Sequence, residues 1–154
     1  MRAPENSLVQ TSARVVRVAM AQFSCSFWTY CGSKCNFFSR WPGRQQLTPL
    51  NSCADDGREH LREVKVSQTC VASEKELILA RAGLFGDSDD CGFTICPKHR
   101  VELGVRFRPS MKCQHPLNGN RRRKVERGIN LKLAKEIKAK WNIVVPVGAG
   151  KFRL

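Results

Sequence analysis

The sequence is short of acidic residues, and nearly all of the shortage lies in its C-terminal part. The 154 residues carry 27 Lys and Arg against 13 Asp and Glu, a net charge of +14. Residues 97–154 hold 16 basic and three acidic side chains, whereas residues 1–96 are close to neutral. A positive field of this density disfavours self-association and favours a partner rich in phosphate or other anionic groups.

The sequence also lacks any apolar run of the roughly 20 residues that a transmembrane helix needs. Residues 15–27 are apolar, but Arg17 interrupts them and no cleavage site of small residues follows, so a secretory signal is a poor fit. We therefore expect a reducing compartment, where the eight cysteines are free thiols or metal ligands rather than disulfides. A mitochondrial presequence stays open, because Glu5 is the one acid in residues 1–50.

Histidine is scarce as well, with three in the chain. The acids around His60 have the i, i+4 spacing of a solvated helix face. No set of nucleophile, base and orienting group is recognisable around the histidines. We expect a protein without enzymatic activity.

The patterning of the chain changes near residue 73. Residues 1–72 contain cysteines and aromatic residues without a sustained period, which predicts a poorly defined extension, irregular or partly disordered. Residues 55–66 are the exception there, with the composition of a short polar helix. Residues 73–154 predict a basic α+β module.

Three helices are predicted in this module. Ser73 and Glu76 form a capping box, in which each side chain satisfies a backbone donor near the other, and Gly83 can end the helix that they begin. Asn130 is a good cap for another helix that runs to Trp141, with lysines over most of its surface. The apolar stripe of that helix is formed by Leu133, Ile137 and Trp141.

The third predicted helix, 97–103, begins at Pro97, which suits the first helical position, and stops before Gly104. Residues 105–108 alternate apolar and basic side chains like a short strand, and residues 143–147 resemble an edge strand. The expected fold class is small α+β with short helices and strands, stabilised by zinc.

Cys96 and His99 are the first of two Cys/His pairs in the module. If Pro97 is the first helical residue, Cys96 is the N-cap and His99 the third residue, and side chains at these two positions meet. The helix N-terminus, with Lys98 and Arg100 beside it, favours the thiolate over the thiol.

Cys113 and His115 form the second pair. Residues two apart point the same way in an extended segment, and Pro116 favours that conformation for His115. Zinc takes four such ligands in a tetrahedron, usually as two close pairs. We predict one structural zinc, held by Cys96, His99, Cys113 and His115, with Cys91 as the alternative to His99.

This layout loosely resembles a treble-clef-type arrangement, in which one ligand pair comes from a helix start and the other from a turn. Two alternatives remain. In one, Cys96 is a small buried residue and His99 an exposed helix residue. In the other, a second metal site uses upstream residues, namely Cys25, Cys31, Cys35, Cys53 and Cys70 with His60.

Basic residues are clustered downstream of the Cys/His pairs. Asn118 and Gly119 mark a turn, after which four consecutive basic residues can fork onto phosphate oxygens or serve as a nuclear import signal. Clustered charge of this kind is the footprint of phosphate contacts. The predicted nucleic-acid-binding residues are Arg106, Arg108, Arg121, Arg122, Arg123, Lys124, Arg127, Lys132, Lys135 and Lys138.

The leading functional hypothesis is a nuclear zinc-binding module that contacts the phosphate backbone of DNA or RNA. One alternative is a protein-interaction adaptor, with a structural zinc and a basic face that docks an acidic partner. Another is a basic component of a ribonucleoprotein particle in mitochondria.

Overall fold

The computed structural model describes residues 24–36, 47–67, 71–86, 90–118 and 125–151. These ranges contain five short helices: α1 (Trp28–Cys31), α2 (Gly57–Glu63), α3 (Glu74–Arg81), α4 (Pro97–Leu103) and α5 (Leu131–Trp141). They also contain two antiparallel sheets of two strands each, in which β1 (Thr48–Pro49) pairs with β2 (Thr94–Ile95) and β3 (Arg127–Gly128) pairs with β4 (Gly150–Lys151). Single 3-10 turns occupy Leu50–Ser52 and Pro116–Asn118. The predicted small α+β class is confirmed.

The start of α3 is a complete capping box. The Ser73 hydroxyl accepts from the backbone N–H of Glu76, and the Glu76 carboxylate accepts from the backbone N–H of Ser73. Gly83, at φ 76°, turns the chain away after the last helical residue. The predicted helix is therefore confirmed at both ends, because local side-chain chemistry alone sets them.

α3 separates two apolar clusters and contributes to both. Leu77 and Ala80 face the first, which also contains residues of α2, α5 and the segment 145–149. Ile78 faces the second, which contains the segment around β1 and β2 together with the start and end of α4. The second cluster is the one that carries the cysteines of the site described below.

The caps of α4 and α5 agree with their predictions. The Cys96 sulfur accepts from the backbone N–H of His99 at 3.4 Å, and the Asn130 side chain accepts from the backbone N–H of Leu133 at 2.9 Å. On α5, Ile137 is fully buried, whereas Trp141 is half-buried against the first apolar cluster. Both helices therefore begin where the sequence predicts.

The two predicted strands at 105–108 and 143–147 are wrong. Residues after Gly104 form a turn closed by a 3.1 Å bond from the Phe107 N–H to the Gly104 carbonyl. The segment 143–147 makes no ladder either, and the strand of that region is β4 instead.

A buried arginine joins α3 to the segments that lack regular structure. Arg81 is 2 % exposed, and its guanidinium donates to the backbone carbonyls of Val147, Leu103 and Gly104. It also contacts the imidazole of His60 at 2.9 Å. These bonds satisfy three buried backbone carbonyls at the end of α4 and in the segment before β4.

The described part of residues 1–72 contributes to both apolar clusters. Phe27, Leu50 and Cys53 are each at most 1 % exposed within the second apolar cluster, and Leu61 of α2 is fully buried in the first. The sequence offers no periodicity from which these core positions can be identified. Within the described ranges, no helix combines the length and apolar character that crossing a bilayer requires.

Candidate metal centre

Four side chains from three segments meet in the second apolar cluster. Cys25 precedes α1, Cys35 follows it, Cys96 caps α4 and His99 lies in the first turn of α4. Their sulfur and nitrogen atoms all lie within 4.8 Å of one another. The group can therefore hold one metal ion through three sulfurs and one imidazole.

Backbone pairing brings Cys25 to Cys96. The N–H of Ser26 donates to the carbonyl of Thr94 at 3.0 Å, and the Ser26 hydroxyl accepts from the N–H of Thr94 at the same distance. This pairing aligns the segment before α1 with β2. Because β2 ends one residue before Cys96, the pairing brings Cys25 close to the start of α4. The chain then reverses at Gly32, at φ 63°, so that Cys35 returns to Cys25.

Four distances among these atoms are close to those of a tetrahedral site. A tetrahedron with metal–sulfur bonds of about 2.3 Å and metal–nitrogen bonds of about 2.0 Å separates two sulfurs by about 3.8 Å and a sulfur and a nitrogen by about 3.5 Å. The sulfurs of Cys25 and Cys35 are 3.6 Å apart. The His99 Nδ1 atom lies 3.0 Å from the sulfur of Cys25, 3.3 Å from that of Cys96 and 3.8 Å from that of Cys35.

The imidazole of His99 is oriented by its other nitrogen. Nε2 lies 3.1 Å from the backbone carbonyl of Ser33 and 2.9 Å from the Ser33 hydroxyl. A proton on Nε2, donated to that carbonyl, leaves the Nδ1 lone pair facing the three sulfurs. Such an outer contact is what holds a ligating histidine in one tautomer.

The loop that carries Cys35 is tied to α4 by further contacts. The Ser33 hydroxyl donates to Glu102 at 3.3 Å, and Lys98 donates to the backbone carbonyl of Lys34 at 3.0 Å. On the other side of α4, Arg100 pairs with the buried carboxylate of Glu74 at 2.7 Å. The helix start is thus held to both the loop and α3.

The electrostatics of the cluster favour one thiolate even before a metal is considered. A hydrogen bond from the Cys25 thiol lowers the pKa of Cys96, and the backbone N–H groups of His99 and Asn36 act in the same direction. The same bond, seen from the donor, raises the pKa of Cys25. A cation would offset the repulsion among the sulfurs and stabilise all three as thiolates.

Cys31 lies beside the cluster but is not one of its four members. Burial raises its pKa to about 11, and the nearby Glu102, Cys96 and Cys35 add to that shift. It is a half-buried thiol of the second apolar cluster, packed at the end of α1.

The predicted ligand set agrees with the cluster at two of its four positions. Cys96 and His99 meet as predicted, but among the described residues Cys113 and His115 do not join them. His115 instead sets its ring edge-on to Trp141, with centroids 5.8 Å apart, and its Nδ1 accepts from the N–H of Leu117. Cys113 is buried, and Cys91 is exposed outside the cluster.

The missing partners of Cys96 and His99 are therefore Cys25 and Cys35. Both belong to the group of upstream cysteines that the sequence marks for a separate second site. Cys25 and His99 are 74 residues apart in sequence, and no spacing rule connects pairs at that distance. The structure gathers them into one site because β2 docks against the segment before α1.

The predicted phosphate-contacting residues lie on the surface where they are described. Arg106, Arg108, Arg127, Lys132 and Lys135 are exposed, although Arg106 and Arg108 follow a turn rather than lying on a strand. Lys138 is half-buried and donates to the carbonyl of Gly83. The tract Arg121, Arg122, Arg123 and Lys124 lies outside the described residues.

Comparisons with protein-family models, with curated proteins and with solved structures gave no match. Any functional conclusion must therefore rest on the site itself. A metal ion bound by all four side chains would have no open position for a substrate, and such closed four-ligand sites are typical of structural metal ions.

Proposed function

We propose that this protein is a nuclear zinc-binding module that contacts the phosphate backbone of nucleic acid through its basic C-terminal region. The observation that carries the metal part is the Cys25–Cys35–Cys96–His99 cluster. The distribution of unpaired cations supports the nucleic-acid part.

Zinc is the metal that suits this donor set best. Three thiolates and one imidazole in a tetrahedron are typical of structural zinc, whereas magnesium and calcium take oxygen ligands. Three of the four side chains are buried, and the site joins three segments that are distant in sequence. Zinc binding would thus contribute directly to folding.

Metal analysis of the purified full chain tests this part of the proposal. We expect one zinc per chain, released by a chelator together with a loss of tertiary structure measured by near-UV circular dichroism. Cys91→Ser is the matched control, since Cys91 is exposed and outside the cluster, and it should retain the full zinc content. A chain that folds without metal, or that loses zinc on Cys91→Ser but not on Cys35→Ser, would contradict the proposal.

The proposal of nucleic-acid binding is supported by the distribution of ion pairs along the chain. Every ion pair among the described residues lies between Asp55 and Glu102. The described cations from residue 105 onward form none. They are Arg106, Arg108, Lys112, Arg127, Lys132, Lys135, Lys138, Lys140 and Lys151. A surface with many cations, none of them ion-paired to a described carboxylate, is suited to a polyanion.

Titration of the full chain with labelled duplex DNA and RNA tests this part. We expect binding that weakens steeply between about 50 and 200 mM salt, because each neutralised phosphate releases counterions. Binding that does not change with salt would refute the proposal. Saturable binding to one acidic protein with little affinity for random nucleic acid would favour the adaptor function instead.

A further inference from the structure

We propose that Lys140, Lys151 and Arg127 form a phosphodiester-binding site at the corner of the fold around His115 and Trp141. This inference rests on the proposed nucleic-acid function and assigns to it a place on the described surface. The three cations come from the end of α5, from β4 and from β3.

The first cation is held against an aromatic ring. The ammonium group of Lys140 lies 4.6 Å from the ring centroid of Trp141, and the ring of His115 meets Trp141 from another side. Because Trp141 packs against the first apolar cluster, its ring is a fixed support for the lysine. A cation placed in this way loses less conformational freedom on binding an anion than a freely rotating side chain does.

The other two cations are directly opposed on neighbouring strands of one sheet. Arg127 of β3 is paired in register with Lys151 of β4. Directly opposed side chains on antiparallel strands lie on the same face, and like charges there are destabilising. The strand pair is joined to the His115 segment by a 2.9 Å bond from the N–H of Gln114 to the carbonyl of Gly150.

Two of the three cations, Lys140 and Lys151, act on the charge state of His115. Burial lowers the pKa of His115, and the charges of Lys151 and Lys140 lower it further. The nearest acids in sequence are Glu126 and Glu136, and in the described part of the chain neither forms an ion pair. The described cations at this corner thus form no ion pair with a described carboxylate, and a phosphate group would supply them with a counter-charge.

The chemistry of the three side chains fits a phosphodiester. The guanidinium of Arg127 can donate two parallel hydrogen bonds to phosphate oxygens, while Lys140 and Lys151 act as point charges. None of these contacts reads a base, so the site would bind without sequence preference.

The test compares two double variants of the full chain with the wild type. K140Q/K151Q removes two charges from the corner, and R58Q/R62Q removes two exposed charges from α2, which the proposal does not involve. For each protein, the affinity for the same labelled duplex is measured by fluorescence anisotropy over a range of salt concentrations. Zinc content and circular dichroism confirm that each variant is folded.

We expect K140Q/K151Q to lower the slope of log affinity against log salt by about two, or about one per lost phosphate contact. R58Q/R62Q should leave the slope unchanged. The His115 ring resonance should also shift when duplex is added to the wild type.

Three outcomes would overturn the site. If the wild type binds with a steep salt dependence that K140Q/K151Q preserves, the site is refuted and the proposed function stands. Equal losses in both double variants would show a general charge effect, which also refutes the site. If the wild type shows no salt-dependent binding, the proposed function fails and the site fails with it.

Discussion

The regions on either side of residue 104 use charge in opposite ways. All ion pairs of the described residues lie in residues 55–102, and the shortest, between Arg100 and the buried Glu74 at 2.7 Å, joins α4 to α3. From residue 105 onward, the described cations have no carboxylate partner, and several rest on aromatic rings instead. Lys135 and Lys138 lie near the ring of Phe85, and Lys140 lies over Trp141.

This difference separates stability from recognition within one small fold. In the first region, ion pairs join segments of the fold near the cluster that can hold a metal. The second leaves its charges available to a partner and relies on apolar packing of Ile129, Ile137 and Val147 for its stability. Substitutions of the ion-paired residues and metal-binding side chains of the first region should therefore affect folding, while substitutions on the surface of the second should affect binding.

The largest expected effect is the loss of a metal ligand. Cys35→Ser should remove zinc and unfold the segments that the site joins, since a structural zinc contributes on the order of 10 kcal/mol in small metal-dependent modules. Zinc content and thermal unfolding measure the outcome, with Cys91→Ser as control. A Cys35→Ser protein as stable as the wild type would show that the first region does not depend on metal.

The next effect comes from the buried arginine. Arg81→Met should lower the free energy of unfolding by about 3–5 kcal/mol, because it leaves the carbonyls of Val147, Leu103 and Gly104 buried without a donor. Urea denaturation measures it. The matched control is Arg62→Met on the exposed face of α2, which should be close to neutral.

A smaller effect is expected at the outer contact of the metal centre. Ser33→Ala removes the hydroxyl that contacts both His99 and Glu102, but keeps the carbonyl that faces Nε2. We expect zinc affinity to fall by about tenfold, at the lower end for such contacts. Competition with a chromogenic chelator measures it. An unchanged affinity would mean that the backbone carbonyl alone orients the imidazole.

The smallest effect is a pH dependence at His60. Burial and the charge of Arg81 lower the pKa of His60 below its usual 6.5, so the folded state favours the neutral ring. Its contribution to stability is complete above pH 6.5 and is lost as pH falls from there towards the folded-state pKa. As pH is lowered below 6.5, the free energy of unfolding should therefore fall less steeply in His60→Gln than in the wild type. The difference between the two proteins cancels any titration of the metal centre that they share.

Local rules predicted the helices of the second half of the chain closely. The capping box at Ser73 and Glu76, the N-caps Cys96 and Asn130 and the first-position Pro97 each act within one helical turn. A sequence window contains everything that such a signal needs. The strands failed for the opposite reason, since residues 105–108 and 143–147 have the composition of strands but no partner to pair with.

The candidate metal centre also has one pair of residues that local signals predict and one pair that they do not. Cys96 and His99 are three residues apart on one helix, so their meeting was predictable from spacing. Cys25 and Cys35 lie more than 60 residues upstream, in a segment with no periodic pattern, and Cys113 and His115 had the better local geometry. Spacing rules favour the nearer pair because they contain no information on which segments dock.

The sequence by itself determined the charge asymmetry, the small α+β class, the beginnings and ends of three helices, and one half of the metal centre. All of these depend on composition or on contacts within a few residues. The tertiary structure alone decided which cysteines complete the cluster, which backbone carbonyls Arg81 satisfies, and that Arg127 pairs in register with Lys151. Each of those depends on long-range docking, in which hydrogen bonds such as Ser26 to Thr94 join segments that no local pattern relates.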